Sequence, residues 1–230
     1  MAKDVFSFRH FDVCQDRCAM KVGTDGVLLG AWSEGGGRIL DIGAGTGLVS
    51  LMMAQRFPAS WVDGVEADIE AALQAAENAM QFPKVNIRPV RLQDWVPDEA
   101  YDCMVSNPPF FVDSMKASSS LRSLARHDVG LPFSDIVSFA KKWLTLEGQL
   151  SVILPVEMVE RFSEIACLSG FRMIRQTFVK TTPRKPFKRQ LLAFSKSCAR
   201  PLERVERGLL NEDGTRSAWY DDLTKDFYIK

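Results

Sequence analysis

The 230-residue sequence has no uninterrupted apolar run of about 18 residues, so it offers no candidate for a membrane-spanning helix. It also lacks a signal-peptide pattern. Met1-Ala2-Lys3-Asp4 leads straight into alternating residues, and a cytoplasmic location is the expectation. There is no CxxC pair. The five cysteines (Cys14, Cys18, Cys103, Cys167, Cys198) are odd in number and widely spread, and only His10 and His127 could join them around a metal. They read as reduced thiols, with no metal expected. Internal repeats and low-complexity tracts are missing as well. No excess of one charge exists overall, since 29 Lys and Arg balance 29 Asp and Glu, which excludes a strong global pull on a polyanion.

What is present is the usage of an ordinary soluble domain, 46% hydrophobic and 25% charged, long enough to bury a sizeable core as one unit. The charge is unevenly placed. Between Arg172 and Arg207 stand eleven Lys and Arg against two acids, Glu203 and Glu206, which is the pattern of a local nucleic-acid contact.

Along the chain, Val5-Phe8 and Phe11-Cys14 alternate and read as a hairpin, after which Thr24 or Asp25 can cap a short helix ending at Trp32. A regular order follows: strand Arg38-Ile42, helix Thr46-Phe57, strand Trp61-Glu66, helix Asp68-Met80, strands Val85-Arg91 and Tyr101-Ser106. Beyond a polar loop come helix Phe133-Leu146, strand Gly148-Leu154, helix Val156-Ser169, and two closing strands, Phe171-Val179 and Gln190-Lys196. Strands alternating with helices predict an α/β fold, a mostly parallel sheet with helices on both faces. The aromatic end (Trp219, Tyr220, Phe227, Tyr228) is expected to pack back on it. The whole chain is expected to be a single domain, with an extension over 1–37, a core over 38–200 and a tail over 201–230.

Asp41-Ile42-Gly43-Ala44-Gly45-Thr46-Gly47 lies where a buried strand hands over to a helix, so its glycines allow a tight turn and a close backbone approach to a ligand. Where the dinucleotide fingerprint G-x-G-x-x-G requires its third glycine, this sequence has Leu48, which departs from nicotinamide enzymes. The turn resembles that of Rossmann-like class I S-adenosylmethionine-dependent methyltransferases, with a seven-stranded sheet whose last strand is antiparallel. In that family it holds the amino-acid part and ribose of the cofactor. Glu66, 19 residues after Gly47, then suits the ribose hydroxyls, and Asp94 matches the position that contacts the adenine amino group. The competing reading makes the glycines an ordinary turn and both acids solvated surface groups.

Asn107-Pro108-Pro109-Phe110 follows the apolar strand Tyr101-Ser106, at the edge of the sheet where open α/β folds bind ligands. The lone pair of an exocyclic amine is delocalised into its ring, so accepting hydrogen bonds from the amine localises it. Asn107 Oδ1 and the Pro108 carbonyl are the candidate acceptors, and no base is required. Prolines stiffen the loop, and Phe110 or Phe111 can stack on a flipped base, worth about 1–3 kcal/mol. Alternatively, a strand ending in Asn-Pro-Pro is simply a good turn.

Phe8-Arg9-His10-Phe11, the block from Met20 to Trp32, the glycine turn and Asn-Pro-Pro-Phe-Phe together resemble the bacterial tRNA1(Val) (adenine-37-N6)-methyltransferases. The resemblance implies methyl transfer from S-adenosylmethionine to the N6 amine just 3′ of the anticodon of valine tRNA. It also implies that Lys21, Thr24 and Asp25 touch the cofactor or the base, helix capping being the other explanation for the last two. The loop 112–130, with Lys116, Arg122, Arg126 and His127, is the expected cover over the base, His127 contacting phosphate or backbone. Arg184, Lys185, Lys188 and Arg189, between the closing strands, are the expected tRNA contacts, with a solvated loop as the plain alternative. Rival readings keep the fold but methylate release-factor glutamine or ribosomal RNA, or replace the chemistry with a nicotinamide oxidoreductase or a silent RNA-binding adaptor.

Overall fold

A computed structural model of the protein describes residues 4–109 and 131–229. Two short antiparallel strands, β1 (Val5–Ser7) and β2 (Asp12–Cys14), form the hairpin. Helix α1 (Thr24–Trp32) follows, buried from Gly26 to Trp32. The correction here is at its start: Gly23, in extended geometry, holds the cap position with no side-chain hydrogen bond, so neither Thr24 nor Asp25 caps the helix.

The alternating order then runs β3 (Arg38–Ile42), α2 (Leu48–Arg56), β4 (Trp61–Glu66), α3 (Ile69–Asn78), β5 (Val85–Pro89), a single 3₁₀ turn (Leu92–Asp94) and β6 (Tyr101–Ser106). After it come α4 (Phe133–Trp143), β7 (Leu144–Pro155), α5 (Val156–Leu168), β8 (Arg172–Lys180) and β9 (Phe187–Ser195). The expected helix to Leu146 stops at Trp143, because Leu144 is already paired with Tyr101 across the sheet.

With a further strand, β10 (Glu203–Gly208), the order is β10-β8-β9-β7-β6-β3-β4-β5, parallel throughout except for β9, which is antiparallel to both its neighbours. The seven strands β3–β9 are those the sequence predicts. The eighth, β10, adds to the edge alongside β8. Only one of its six residues, Val205, is strongly apolar, so nothing in its pattern announces a strand. Two apolar layers flank the sheet. One, beneath α1 and α2, includes Leu29, Met52, Val105 and Leu191; the other, beneath α4 and α5, includes Leu40, Ile136, Leu154 and Phe162.

The C-terminal segment, with α6 (Ala218–Thr224), meets the N-terminal hairpin. The Arg9 N–H donates to the Phe227 carbonyl at 2.7 Å, and the Phe8 and Tyr228 rings stack with centroids 5.9 Å apart. Among the described residues no helix is long and apolar enough to cross a membrane.

Chain direction reverses across the sheet at β3. From there the strands proceed one way through β4 to β5, then return to β6 on the other side of β3 and continue outward. The crevice between the carboxyl ends of β3 and β6 is therefore the topological switch point, where open parallel sheets take ligands. The glycine turn leaves β3 and Asn107 leaves β6 at that crevice.

Candidate active site

Gly43, Gly45 and Gly47 all adopt positive φ (75°, 53° and 81°), a region that costs residues with a Cβ. The Gly43 and Ala44 N–H groups donate to the Val65 carbonyl, which ties the turn to β4. A Cβ on Gly43 would meet no atom within 4 Å, so this backbone borders open space. Gly47 differs. A Cβ there would lie 3.2 Å from the Ala75 Cβ, so its glycine lets α2 start hard against α3.

Two joined compartments open over the turn. The larger, about 730 Å³, is bounded by Gly43, Gly45, Glu66, Gln93, Asn107 and Pro109, among others; the smaller, about 430 Å³, by Lys21, Thr24, Asp25, Asp41 and Thr46. Met20, Gly43, Gly45 and Asn107 border both. This combination of a largely apolar wall and a few convergent polar groups is usual for sites that enclose a small molecule.

Glu66 stands at the end of β4. Its Oε2 accepts from the Gly45 N–H at 2.9 Å and its Oε1 from the Asp68 N–H at 2.9 Å. Each carboxylate oxygen retains a free lone pair for a ligand hydroxyl. Asp68 in turn caps α3, accepting from the Glu70 and Ala71 N–H groups. Asp41 is 2% exposed, and its Oδ2 accepts from both the backbone N–H (2.9 Å) and the hydroxyl (2.7 Å) of Ser50. Burial pushes its carboxyl up to about 6, against the pull of the Ser50 hydrogen bonds.

Asn107 is fixed from below, because the Ser106 hydroxyl donates to the Ile42 carbonyl at 2.9 Å and locks the end of β6 onto β3. Among the described residues its Oδ1, which is buried, has no hydrogen-bond partner, and its Nδ2 reaches only the Met20 sulfur, at 3.8 Å. A buried amide oxygen without a donor costs about 1–3 kcal/mol, unless a ligand supplies one. Pro108 is buried and Pro109 lines the larger compartment.

Residues 3–159 match the family model described as methyltransferase small domain. The tRNA1(Val) (adenine(37)-N6)-methyltransferase of Parabacteroides distasonis is 40% identical over the full length of both chains, and that of one Bacteroides fragilis strain is 42% identical, again over all of both. This chain belongs to the tRNA1(Val) (adenine(37)-N6)-methyltransferase family. Its fold is shared with solved methyltransferases: a predicted O-methyltransferase of Agrobacterium tumefaciens superposes with a TM-score of 0.71 at 21% identity, over 88% of this chain and 96% of that one.

As a member of the tRNA1(Val) (adenine(37)-N6)-methyltransferase family, the chain gathers most of the residues singled out in its sequence. Lys21, Thr24, Asp41, Gly43, Gly45, Glu66 and Asn107 border the compartments. Gly47 and Asp94 do not; Asp94 is exposed, and its neighbours Leu92 and Gln93 line the wall instead. Lys21 also pairs with Asp4. Cys18, Ala19, Met20 and Leu131 are lining residues that the sequence reading passed over, since they carry no charge and follow no period. Phe110, Phe111, Lys116, Arg122, Arg126 and His127 lie outside the described residues.

The basic stretch divides in two, and only Arg184 and Lys185 lie between the strands: β9 starts at Phe187, earlier than the expected Gln190, so Lys188 and Arg189 already belong to it. Arg184, Lys185 and Lys188 are exposed, with Arg184 paired loosely to Glu212 at 3.4 Å. Arg189 turns inward, its Nε donating to Asp25 Oδ2 at 2.7 Å. That ion pair ties the start of β9 to Asp25 beside the smaller compartment.

Proposed function

We propose that the protein transfers a methyl group from S-adenosylmethionine to the N6 amine of adenosine 37 in valine tRNA; the relatives that match it over their full length are named as methyltransferases of that tRNA position. The observation that carries the chemistry is the buried Oδ1 of Asn107, without a partner among the described residues, on the wall common to both compartments.

The site residues fit the cofactor. Glu66 offers two acceptors for ribose hydroxyls, Gly43 and Gly45 leave room for a close approach, and Asp41 and Glu66 bring negative charge to a ligand that is cationic at its sulfonium and ammonium groups. Lys21 and Thr24, with Asp41, would hold its amino-acid end; Gln93 and Leu92 flank the larger compartment, where the adenine would lie. Bound S-adenosylmethionine would supply an electrophilic methyl group, the broken S–CH3 bond leaving S-adenosylhomocysteine as product.

Asn107 Oδ1 accepts an N–H of the target amine and localises its lone pair toward that methyl, while the Pro108 carbonyl accepts the second N–H. The proton leaves to solvent after transfer, so no side chain needs to act as a base. Pro109, with Phe110 and Phe111, would face the flipped adenine. Arg184, Lys185 and Lys188 would meet tRNA phosphates, and Arg126 and His127 the phosphate backbone near the target base. The chain would act as one unit in the cytoplasm, with 1–37 and 201–230 folded onto the core over 38–200, without a metal.

The test is transfer of labelled methyl from S-adenosylmethionine to unmodified valine tRNA, with the same tRNA carrying guanosine at position 37 as control. Label on the first alone is the expected result; label on both, or on neither, overturns the proposal. Asn107→Ala should lower kcat by about 100- to 1,000-fold, the scale seen when one hydrogen-bonding group to a reacting atom is removed. Cofactor binding by that variant should stay close to wild type; its loss would make Asn107 structural.

A further inference from the structure

The stretch from Gln15 to Gly23 is neither helix nor strand, yet it borders both compartments through Cys18, Ala19, Met20, Lys21 and Gly23. A segment without a backbone ladder of its own must find hydrogen-bond partners elsewhere. Helix α3 supplies them. Gln74 and Asn78 stand four residues apart on one helical face, 1% and 9% exposed. The Oδ1 of Asn78 accepts from the Cys14 N–H at 3.0 Å, while its Nδ2 donates to the Cys14 carbonyl and to the Thr46 carbonyl, both at 2.9 Å. One amide thus joins the base of the strap, α3 and the glycine turn. Four residues earlier, Gln74 Oε1 accepts from the Arg17 N–H at 3.0 Å and its Nε2 donates to Asp16 Oδ1 at 2.7 Å.

Further contacts hold the strap to itself, to α3 and, through Gln15 and Lys21, to Asp4. Gln15 Oε1 accepts from the Val22 N–H at 2.8 Å, and Arg17 pairs with Glu77 on α3. Cys18, the middle of the strap, comes within 3.6 Å of where a Gly45 Cβ would stand, directly over the turn. Burial pushes its thiol up, so a neutral group faces the site.

We propose that Gln74 and Asn78 are positioning residues for the cofactor: by clasping Cys14, Asp16 and Arg17 they hold the strap shut over the ligand bound at the glycine turn. This rests on the reading that the joined compartments take S-adenosylmethionine. Side-chain amides suit a cover that must open, since a few hydrogen bonds are broken at once and re-formed, whereas a strand in a ladder would have to unzip. The clasp acts on cofactor retention and leaves the acceptor nitrogen untouched.

The decisive experiment exchanges the two partners in the full-length protein. Gln74→Glu loses the donor to Asp16 and sets two carboxylates together. Its KM for S-adenosylmethionine should rise about tenfold, with kcat at saturating cofactor and KM for tRNA changed by less than about twofold. Adding Asp16→Asn returns a donor to the pair and should restore the KM. Tryptic cleavage after Arg17, slowed by S-adenosylmethionine in the wild type, should lose that protection in Gln74→Glu and regain it in the double variant. Wild-type cofactor KM in Gln74→Glu, or a fall in kcat with cofactor KM unchanged, overturns the clasp. If Gln74→Glu fails to fold, Asp16→Ala, at an exposed position, removes the same bond and must raise the cofactor KM severalfold. A wild-type protein that binds no S-adenosylmethionine would instead refute the reading of the compartments themselves.

Discussion

Asp41→Asn should make the protein more stable and a weaker binder of its cofactor. The carboxyl is 2% exposed, and burial raises it from 3.8 to about 6 despite two hydrogen bonds from Ser50. A difference of about two units between unfolded and folded states corresponds to roughly 3 kcal/mol, at about 1.4 kcal/mol per unit. The sign follows from proton counting. Between pH 4 and 6 the folded state binds more protons than the unfolded one, so this group's contribution is intact below about pH 4, falls as pH rises to about 6, and is flat above. The amide oxygen of the variant can still accept from both Ser50 donors, and it never ionises. The variant should therefore match the wild type near pH 4 and exceed it by up to roughly 3 kcal/mol at pH 7.5, which for a chain of this size is a melting temperature higher by about 6–12 °C. Thermal unfolding of both proteins at half-unit steps from pH 4 to 8 measures it. A stability difference that stays constant across that range would refute the argument. At pH 7.5 the variant should bind S-adenosylmethionine at least tenfold more weakly by calorimetry, because the ionised carboxylate faces a cationic ligand in a partly enclosed site.

Gly47→Ala combines a positive φ with a Cβ 3.2 Å from that of Ala75, and should destabilise by about 1–3 kcal/mol in urea unfolding while raising the cofactor KM. Unchanged stability would mean that α2 and α3 can separate freely at this point. Lys185→Ala with Lys188→Ala removes two exposed charges from the basic stretch at the start of β9 and should reduce the salt dependence of tRNA binding by up to about two logarithmic slope units, leaving cofactor affinity alone. An unchanged salt slope would place the tRNA elsewhere.

The parts of the site that were legible from sequence share one property: they terminate strands at the switch point. Gly43 to Gly47 after β3, Glu66 ending β4 and Asn107 after β6 are chemically distinctive residues at positions that a parallel sheet assigns by its connectivity. Asp94 shows where that logic ends. It lies in an exposed 3₁₀ turn beyond the strand ends, beside Leu92 and Gln93, which line the larger compartment, so its proposed contact with the cofactor rests on a family position and not on the connectivity of the sheet. The strand β10 was hidden for a different reason. Glu203-Arg204-Val205-Glu206-Arg207-Gly208 lies on the sheet edge, buries little, and takes its register from β8, which it pairs residue for residue from Glu203–Arg175 to Gly208–Lys180. Pairing of that kind is a property of the assembled sheet and leaves no local period.

Gln74 and Asn78 were the least legible of all, because a buried amide and a solvated one are written with the same letter. In the helix pattern of α3 both look like its polar face, next to Glu70 and Glu77. Their burial depends on the strap from Gln15 to Gly23 coming to rest on them, and the strap has no periodicity that would predict where it lies. The dependence runs both ways. On the same helix Ala71 lines the larger compartment and Ala75 receives the Gly47 turn, while Asp68 at its start is held by Glu66. One helix thereby sets the glycine turn, the ribose-side acid and the strap at fixed distances from one another. A substitution that tilts α3 should consequently disturb cofactor affinity before it disturbs the Asn107 loop, whose anchor is the Ser106 bond to Ile42 on the opposite side of the crevice.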